Sequence, residues 1–342
     1  MKKLSLLFIG LLLSISSKSQ ELEYLLLASD DASLLMKNYM SPVMEGMQSS
    51  LNNGWYHTAK THKKFGFDIT ILANAAMVPT SSQSFQFNAA DYQYVTLESG
   101  SSTVNTVMGG ANNTEFGIRI PEAENYKVAS FSMPNGIKND VPLNSVPSPM
   151  LQASVGLFFD TDITIRYMPE IKTDEVEGNL IGLGLKHNLM QYLGPLEKLP
   201  LNISIFGGFT KMDAKYLIGE IDGLAGTNQE VVFELNTFTI QTIASLDFPV
   251  ISLYGGIGLE KGTSTLKLNG TYELEYDIED SAGNTIGTIQ NSVTDPISMN
   301  FDTNEISAKL GARLNLGFFK VFGDYSIKEY NTVTAGIAFS FR

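Results

Sequence analysis

The chain has 342 residues, and 23 Lys and Arg against 36 Asp and Glu give a formal charge of -13. That balance argues against a nucleic-acid partner, which requires a basic footprint. With no cysteine, disulfides, thiol chemistry and cysteine-ligated metals are excluded, and stability must come from burial or backbone pairing. Charged residues make up 17%, below the roughly 25% of average soluble domains. Mean hydropathy is nevertheless only +0.02, and no run of about 18 apolar residues follows Gln20. A soluble β-protein averages out in this way. So does a transmembrane barrel, whose lipid-facing and lumen-facing residues alternate.

Residues 1–19 open on Lys2 and Lys3, continue as an apolar stretch from Leu4 to Leu13 and end on Ser14–Ser19. A basic start, a short apolar core and small residues before the cut are the layout of a cleaved signal peptide. Removing Lys2, Lys3 and Lys18 with no acid moves the charge from -13 to -16.

Residues 20–52 are expected to form an N-terminal helical segment. "ELEYLLLASDDASLLMKNYMSPVMEGMQSS" (21–50) has apolar clusters, a candidate N-cap at Ser29–Asp31 and a break at Ser41-Pro42, which predicts two short helices. Leu25, Leu26, Leu27, Leu34, Leu35, Met36, Met40, Met44 and Met47 form too much apolar surface to lack a partner. The segment is expected on the periplasmic side, either entering a lumen from below as a plug or packed under the barrel.

Within residues 53–342 the period becomes two, and this region reads as an outer-membrane β-barrel. Phe65, Phe67, Ile69 and Ile71 alternate with Gly66, Asp68 and Thr70; Leu151, Ala153, Val155 and Leu157 with Gln152, Ser154 and Gly156. In "STLKLNGTYELEYDI" (264–278), Leu266, Leu268, Tyr272, Leu274, Tyr276 and Ile278 share one parity. In "EISAKLGARLNL" (305–316), Ile306, Ala308, Leu310, Ala312, Leu314 and Leu316 share one face. These runs exceed the roughly five to six residues of a soluble strand and match the roughly nine to eleven of a tilted membrane strand. The length fits an all-β, antiparallel transmembrane barrel of 12–14 strands. Two parity flips, near Leu259–Ser264 and near Asn236, leave open whether a bulge at Gly262 or an extra turn lies there.

Very short connections at Asp160–Asp162, Asp247–Pro249 and Leu316–Phe318 contrast with long polar ones near 132–149, 214–229 and 279–303. Outer-membrane barrels have short periplasmic turns and long external loops, which puts the C-terminus in the periplasm. The last strand, "VTAGIAFSFR", sets Val333, Ala335, Ile337, Phe339 and Phe341 against Thr334, Gly336, Ala338 and Ser340. An apolar closing strand suits lipid, where every backbone group must be paired. Phe339 and Phe341 are candidate signals for the barrel-assembly machinery, although Arg342 follows the last aromatic.

The stretches "VGLFFDTDITIRYMPE", "IGLGLKHNLMQYLGPLEKLPLNISIFGGFT" and "SLYGGIGLEKGTSTLKLNGTY" resemble a family of Bacteroidota outer-membrane barrels distantly similar to FadL-type transporters of hydrophobic compounds. The resemblance covers roughly residues 150–342. It implies a barrel with an N-terminal hatch and a small hydrophobic ligand, and it transfers no ligand-binding residue.

His57, His62 and His187 raise the question of an enzyme. No G-x-S-x-G occurs and the spacing fits no zinc helix motif, so strand-end or interfacial positions are expected. No catalytic, metal or cofactor residue is assigned, and no cofactor is expected. Lys267, Glu273, Glu275, Lys309 and Arg313 are candidate lumen-facing residues, pairing across the wall or setting selectivity. Tyr254, Tyr272, Tyr276 and Tyr325 are candidates for an interfacial girdle. The reading is a non-enzymatic barrel of the cell outer membrane, in contact with its lipid and passing a small molecule. The alternative is a scaffold or partner subunit of an outer-membrane complex, and an outer-membrane hydrolase is disfavoured.

Overall fold

The computed structural model of the chain describes Leu26 and residues 28–119, 127–173, 176–194, 199–218, 225–279 and 285–341; the signal-peptide reading of 1–19 lies outside them. Helix α1 (Ser29–Leu51) precedes β1 (Phe67–Met77), β2 (Ser84–Gln86), β3 (Val95–Ser99), β4 (Thr103–Asn105), β5 (Glu115–Arg119) and β6 (Lys127–Ser132). The chain continues through β7 (Ser145–Gly156), β8 (Thr161–Lys172), β9 (Val176–Asn188), β10 (Leu201–Leu217) and β11 (Ala225–Asp247). It ends with β12 (Ile251–Glu279), β13 (Thr285–Thr294), β14 (Ile297–Leu316), β15 (Phe319–Ile327) and β16 (Thr332–Phe341).

Antiparallel pairing runs β11-β10-β9-β8-β7-β1-β16-β15-β14-β12, and β12 pairs back onto β11. Among the described residues the barrel therefore has ten strands, not twelve to fourteen. The estimate from length failed because the chain spends residues elsewhere. β10, β11, β12 and β14 are 17, 23, 29 and 20 residues long, well beyond the roughly nine to eleven a crossing needs. The described residues of 78–144 build two small sheets, β2–β4 and β3–β5–β6, instead of wall. Closure in sequence is made by β1 and β16, with Phe67 opposite Phe341 and Ile69 opposite Phe339; the rings of Phe67 and Phe341 stack at 5.1 Å.

The β7–β8, β11–β12 and β14–β15 hairpins, the start of β1 and the end of β16 share one rim, the turn end. The insertion 78–144 and the protruding parts of β10–β14 make the other, the loop end.

Both parity flips are resolved without bulge or turn. β12 pairs with β11 and β14 in unbroken register through Leu259–Ser264. What changes is the surroundings. Toward the turn end, outward residues of the long strands are apolar: Phe209, Phe238, Ile240, Ile257, Leu259, Ile306 and Leu310 are exposed. Toward the loop end the same outward rows become Lys211, Asn236, Lys261 and Asn304, with Lys211 opposite Asn236 and Lys261 opposite Asn304. The inner face inverts at the same level. Buried Thr239, Gln241, Glu260 and Ser307 give way to buried Phe233, Leu235, Leu266, Leu268, Met299 and Phe301. The outer row of β14 is apolar from Ile306 to Leu316, about 25 Å at the usual strand rise and tilt, which matches the apolar band of a membrane barrel. Beyond it, water lies outside and an apolar core inside.

That core is built on α1. The helix is single and passes through Pro42. The proline removes one backbone hydrogen bond, yet Pro42 is buried along with Leu35, Met36, Tyr39, Met40, Val43, Met44, Met47 and Leu51, so packing on several sides overrides the local break. Asp31 fastens its start: the carboxylate accepts backbone N–H bonds from Gln93 (3.0 Å), Tyr94 (2.6 Å) and Val95 (2.8 Å) in the loop-end insertion. Phe87, Val104, Met108, Phe116, Ile118, Phe131 and Met133 of that insertion share one core with the helix and the protruding wall. The helix thus begins at the loop end and descends toward the turn end.

Candidate functional site in the barrel lumen

Residues 46–66 descend through the barrel and fill it in layers. The upper layer is polar and neutral on the side of the descending chain. Gln48 Nε2 donates to Ser264 Oγ (2.7 Å) and to the Phe301 carbonyl (2.9 Å); Ser50 and Ser148 hydroxyls lie 2.6 Å apart; Ser326 Oγ donates to Asn53 Oδ1 (2.7 Å). Arg166 of β8, fully buried, donates to the carbonyls of Leu51 (2.7 Å) and Asn53 and to Gln152 Oε1 (3.0 Å). Wall charges of this layer pair mostly with one another. Lys328 Nζ lies 2.6 Å from Glu260 and 3.9 Å from Glu305, and also donates to the Ser49 carbonyl (2.9 Å).

Below comes an aromatic seal of Trp55, Tyr56, Ala59, Phe206, Ile243 and Tyr254. The guanidinium of Arg166 sits 3.5 Å from the Trp55 ring centroid, a cation–π contact in a desolvated setting. The indole lies against the wall at wall glycines: a Cβ on Gly208 would stand 2.8 Å from Trp55 Cε2, and one on Gly184 3.0 Å from Cε3. Glycine in "IGLGL" and "IFGGF" is thus a matter of close approach rather than of bending.

The lowest layer is ionic and borders a cavity of about 570 Å³ at the turn end. Its charges form a chain. Lys186 Nζ is 3.0 Å from Asp162, whose Oδ2 is 3.0 Å from His62 Nδ1; His62 Nε2 is 3.1 Å from Asp68 Oδ2, which also meets His57 Nε2 at 3.4 Å. Arg313 Nη1 donates to His57 Nδ1 (3.0 Å) and Nη2 to Asp247 (3.3 Å). The histidines belong to the descending segment, and their partners separate their protonation states. Burial lowers His57 to about 4, with Arg313 adding to that and Asp68 opposing it. It is a neutral imidazole accepting from Arg313 and donating to Asp68. Burial also acts against His62, but hydrogen bonds to Asp162 and Asp68 and the charges of both carboxylates outweigh it and lift His62 to about 9. His62 is a cation shared by two carboxylates.

Sequence reasoning placed part of this. Lys309 and Arg313 point into the lumen; Lys309 lies 3.8 Å from Asp324. Lys267, Glu273 and Glu275 do not. They sit on the outer face of β12 beyond the apolar band, where the row that faces lipid lower down meets water and the inner row packs into the apolar core. Leu268, 8% exposed, is inside for the same reason, whereas Leu310, 74% exposed, faces outward. The tyrosine girdle needs correction as well. Tyr254 is 2% exposed and donates to Asp324 Oδ2 (2.9 Å) inside the lumen. Tyr272 is buried in the loop-end core, and the side chain of Tyr276 lies outside the described ones. Of the three described, Tyr325 alone is outward, 41% exposed. Exposed aromatics at the turn end are mostly phenylalanines, Phe65, Phe67, Phe158, Phe159, Phe248, Phe318 and Phe341, joined by Tyr192. His187 stays at a strand end beside Tyr192, while His57 and His62 are lumen residues that their sequence setting, a lysine-rich turn, did not disclose. Among the described residues no cluster of three His, Asp or Glu is arranged to hold a metal ion, and no helix is long and apolar enough to cross a membrane.

The chain aligns with several solved structures at low identity. The protease OmpT of Escherichia coli aligns at 9% identity over 82% of this chain and 99% of its own, with a TM-score of 0.32. The attachment invasion locus protein Ail of Yersinia pestis aligns at 9% identity over 82% and 100%, with a TM-score of 0.25. The P. putida toluene transporter TodX aligns at 7% identity over 91% and 94%, with a TM-score of 0.23. No curated protein matches the sequence. A sequence model does match residues 1–341, and by that match the chain belongs to the family of unknown function DUF6588.

Proposed function

We propose that the protein is an exported outer-membrane barrel, closed at rest, in which residues 46–66 act as a hatch on the path of a small molecule. The observation that carries this reading is the division of charge in the upper lumen. Lys328 and Glu260, and Lys309 and Asp324, are wall groups that pair with each other. The descending segment adds mainly neutral hydrogen bonds, which exchange for water at a net cost of about 1 kcal/mol each. Withdrawing it leaves these two pairs intact, whereas stripping a partner from a buried ion pair costs about 3–5 kcal/mol; the cost of withdrawal falls on Arg166 and on the His62 contacts of the lowest layer. The charged lining of the turn-end cavity favours a polar passenger over the hydrophobic one implied by the resemblance to FadL-type transporters.

A permanently closed scaffold is the second reading, and Arg166 favours it, since two plug carbonyls and Trp55 depend on one buried guanidinium. Planar-bilayer recording separates the two. Ser50→Cys with Ser148→Cys places a cross-link between plug and wall in a chain that has no other cysteine. A hatch gives openings in the reduced variant that oxidation silences, and steady conductance when residues 29–66 are deleted from a barrel that still folds. Openings that persist unchanged after oxidation, or silence of the reduced protein and of the folded deletion alike, would rule the hatch out.

A further inference from the structure

The turn-end cavity has an electrostatic character opposite to that of the chain. The protein carries a formal charge of -13, yet Lys60, Lys63, Lys186, Arg313 and Lys320 line this cavity, with Asp68 as the one carboxylate among its lining residues. Lys186 is taken up by Asp162 and Arg313 by Asp247, and Asp68 is shared by His57 and His62. Three lysines remain. Lys60, Lys63 and Lys320 have no carboxylate within ion-pair distance among the described residues, although Lys320 donates to the Gly317 carbonyl (2.7 Å). Within the lining, Trp55 Nε1 and Arg313 Nε are buried without an acceptor. Both are N–H donors, so they add positive potential to the cavity wall without touching its contents. A recess with low-dielectric walls and one sign of uncompensated charge concentrates ions of the other sign.

We propose that this cavity binds a small oxyanion, a carboxylate or phosphate group, held by Lys60, Lys63 and Lys320. A volume of about 570 Å³ admits a small organic acid or phosphate ester and excludes a folded chain. Ammonium groups on flexible stems take up such ligands as point charges, without the fixed bidentate geometry that arginine imposes, so the site selects charge and size more than shape. The oxyanion is the ligand class of the hatch reading, and only its passage through the barrel rests on that reading. The binding itself occurs with the plug in place.

The single tryptophan of the chain, Trp55, borders the cavity and reports on it without labelling. In an uncharged detergent at fixed ionic strength, inorganic phosphate and succinate should each change Trp55 emission saturably, with calorimetry giving the same constant, and chloride should not. Lys60→Gln, Lys63→Gln and Lys320→Gln combined should weaken binding roughly tenfold or more, the factor expected for losing charge-assisted hydrogen bonds. Calorimetry that detects neither anion, an equal response to chloride, or wild-type affinity in the triple variant would overturn the proposal. Nanodiscs identify the source: a phosphate response lost only in phosphatidylglycerol discs makes lipid headgroups the resident oxyanion, and one kept there as in phosphatidylcholine makes it a soluble solute. A barrel that binds but never conducts refutes the hatch and leaves the site standing.

Discussion

His62 shows how one residue can tie a segment to a wall by protonation alone. Its cation lies between Asp68 and Asp162, and an undocked plug would return it to the ordinary histidine value near 6.5. The docked value is raised to about 9. The docking contribution is therefore complete below about pH 6.5 and is lost as pH rises through about 9, on the order of 3 kcal/mol in all. Trp55, in the same descending segment, is buried only while that segment is docked. Its emission should shift to the red between about pH 6.5 and 10 in the wild type, and His62→Gln should abolish that dependence. A wild-type profile that is flat over this range, or that His62→Gln leaves unchanged, means that His62 does not anchor the plug.

At the scale of the strand, the long elements of this barrel change environment halfway along while keeping their register. The alternation itself was legible in the sequence: every barrel strand for which a period of two was read is a strand. The assignment of faces was legible only where one setting holds. In 305–316 the apolar row is the lipid row, and Lys309 and Arg313 fall inward. In 264–274 an equally regular apolar row points inward, because that part of β12 stands beyond the apolar band over the α1 core. Periodicity reports two unlike faces and does not say which medium each one meets. The parity flips, read as a bulge or an extra turn, carried the missing information, since they mark the level at which lipid ends. The His57–Asp68–His62–Asp162 chain had no such mark, being assembled from a loop and two strands far apart in sequence.

An arginine scan turns that level into a measurement. Arg at outward Ile306, Leu310 or Leu314 should cost as much as about 2–4 kcal/mol near the bilayer midplane, while Arg at Asn300, Asp302 or Asn304 should cost less than about 1 kcal/mol. The step should fall between Asn304 and Ile306 on β14, and between Leu259 and Lys261 on β12. Urea titration of folding into bilayers measures it, and a cost rising smoothly along either strand would remove the boundary. Leu268→Arg is also expected to be costly, through burial of a charge in the loop-end core, so its penalty should persist in detergent micelles.

For the whole molecule, the direction of the thread matters most. The plug is one continuous stretch from Asp31, held by the backbone of Gln93–Val95 at the loop end, to His62, held by Asp162 at the turn end. About seventeen residues of α1, 29–45, stand above the lumen, roughly 25 Å of helix at the standard rise. If the turn end faces the periplasm, as short turns do in outer-membrane barrels, the start of α1 faces the outside of the cell. A hatch entering from below would have the opposite polarity. The two orders are distinguished by single cysteines in a chain with none of its own. Asp30 is exposed at the start of α1, and Asp160 is exposed in the β7–β8 turn. With a maleimide that does not cross the outer membrane, Asp30→Cys should be labelled in intact cells and Asp160→Cys only after the envelope is opened. The reverse order would invert the barrel in the membrane. Labelling of both only after opening would place the helix start on the periplasmic side, and the chain would then not be threaded from outside to inside.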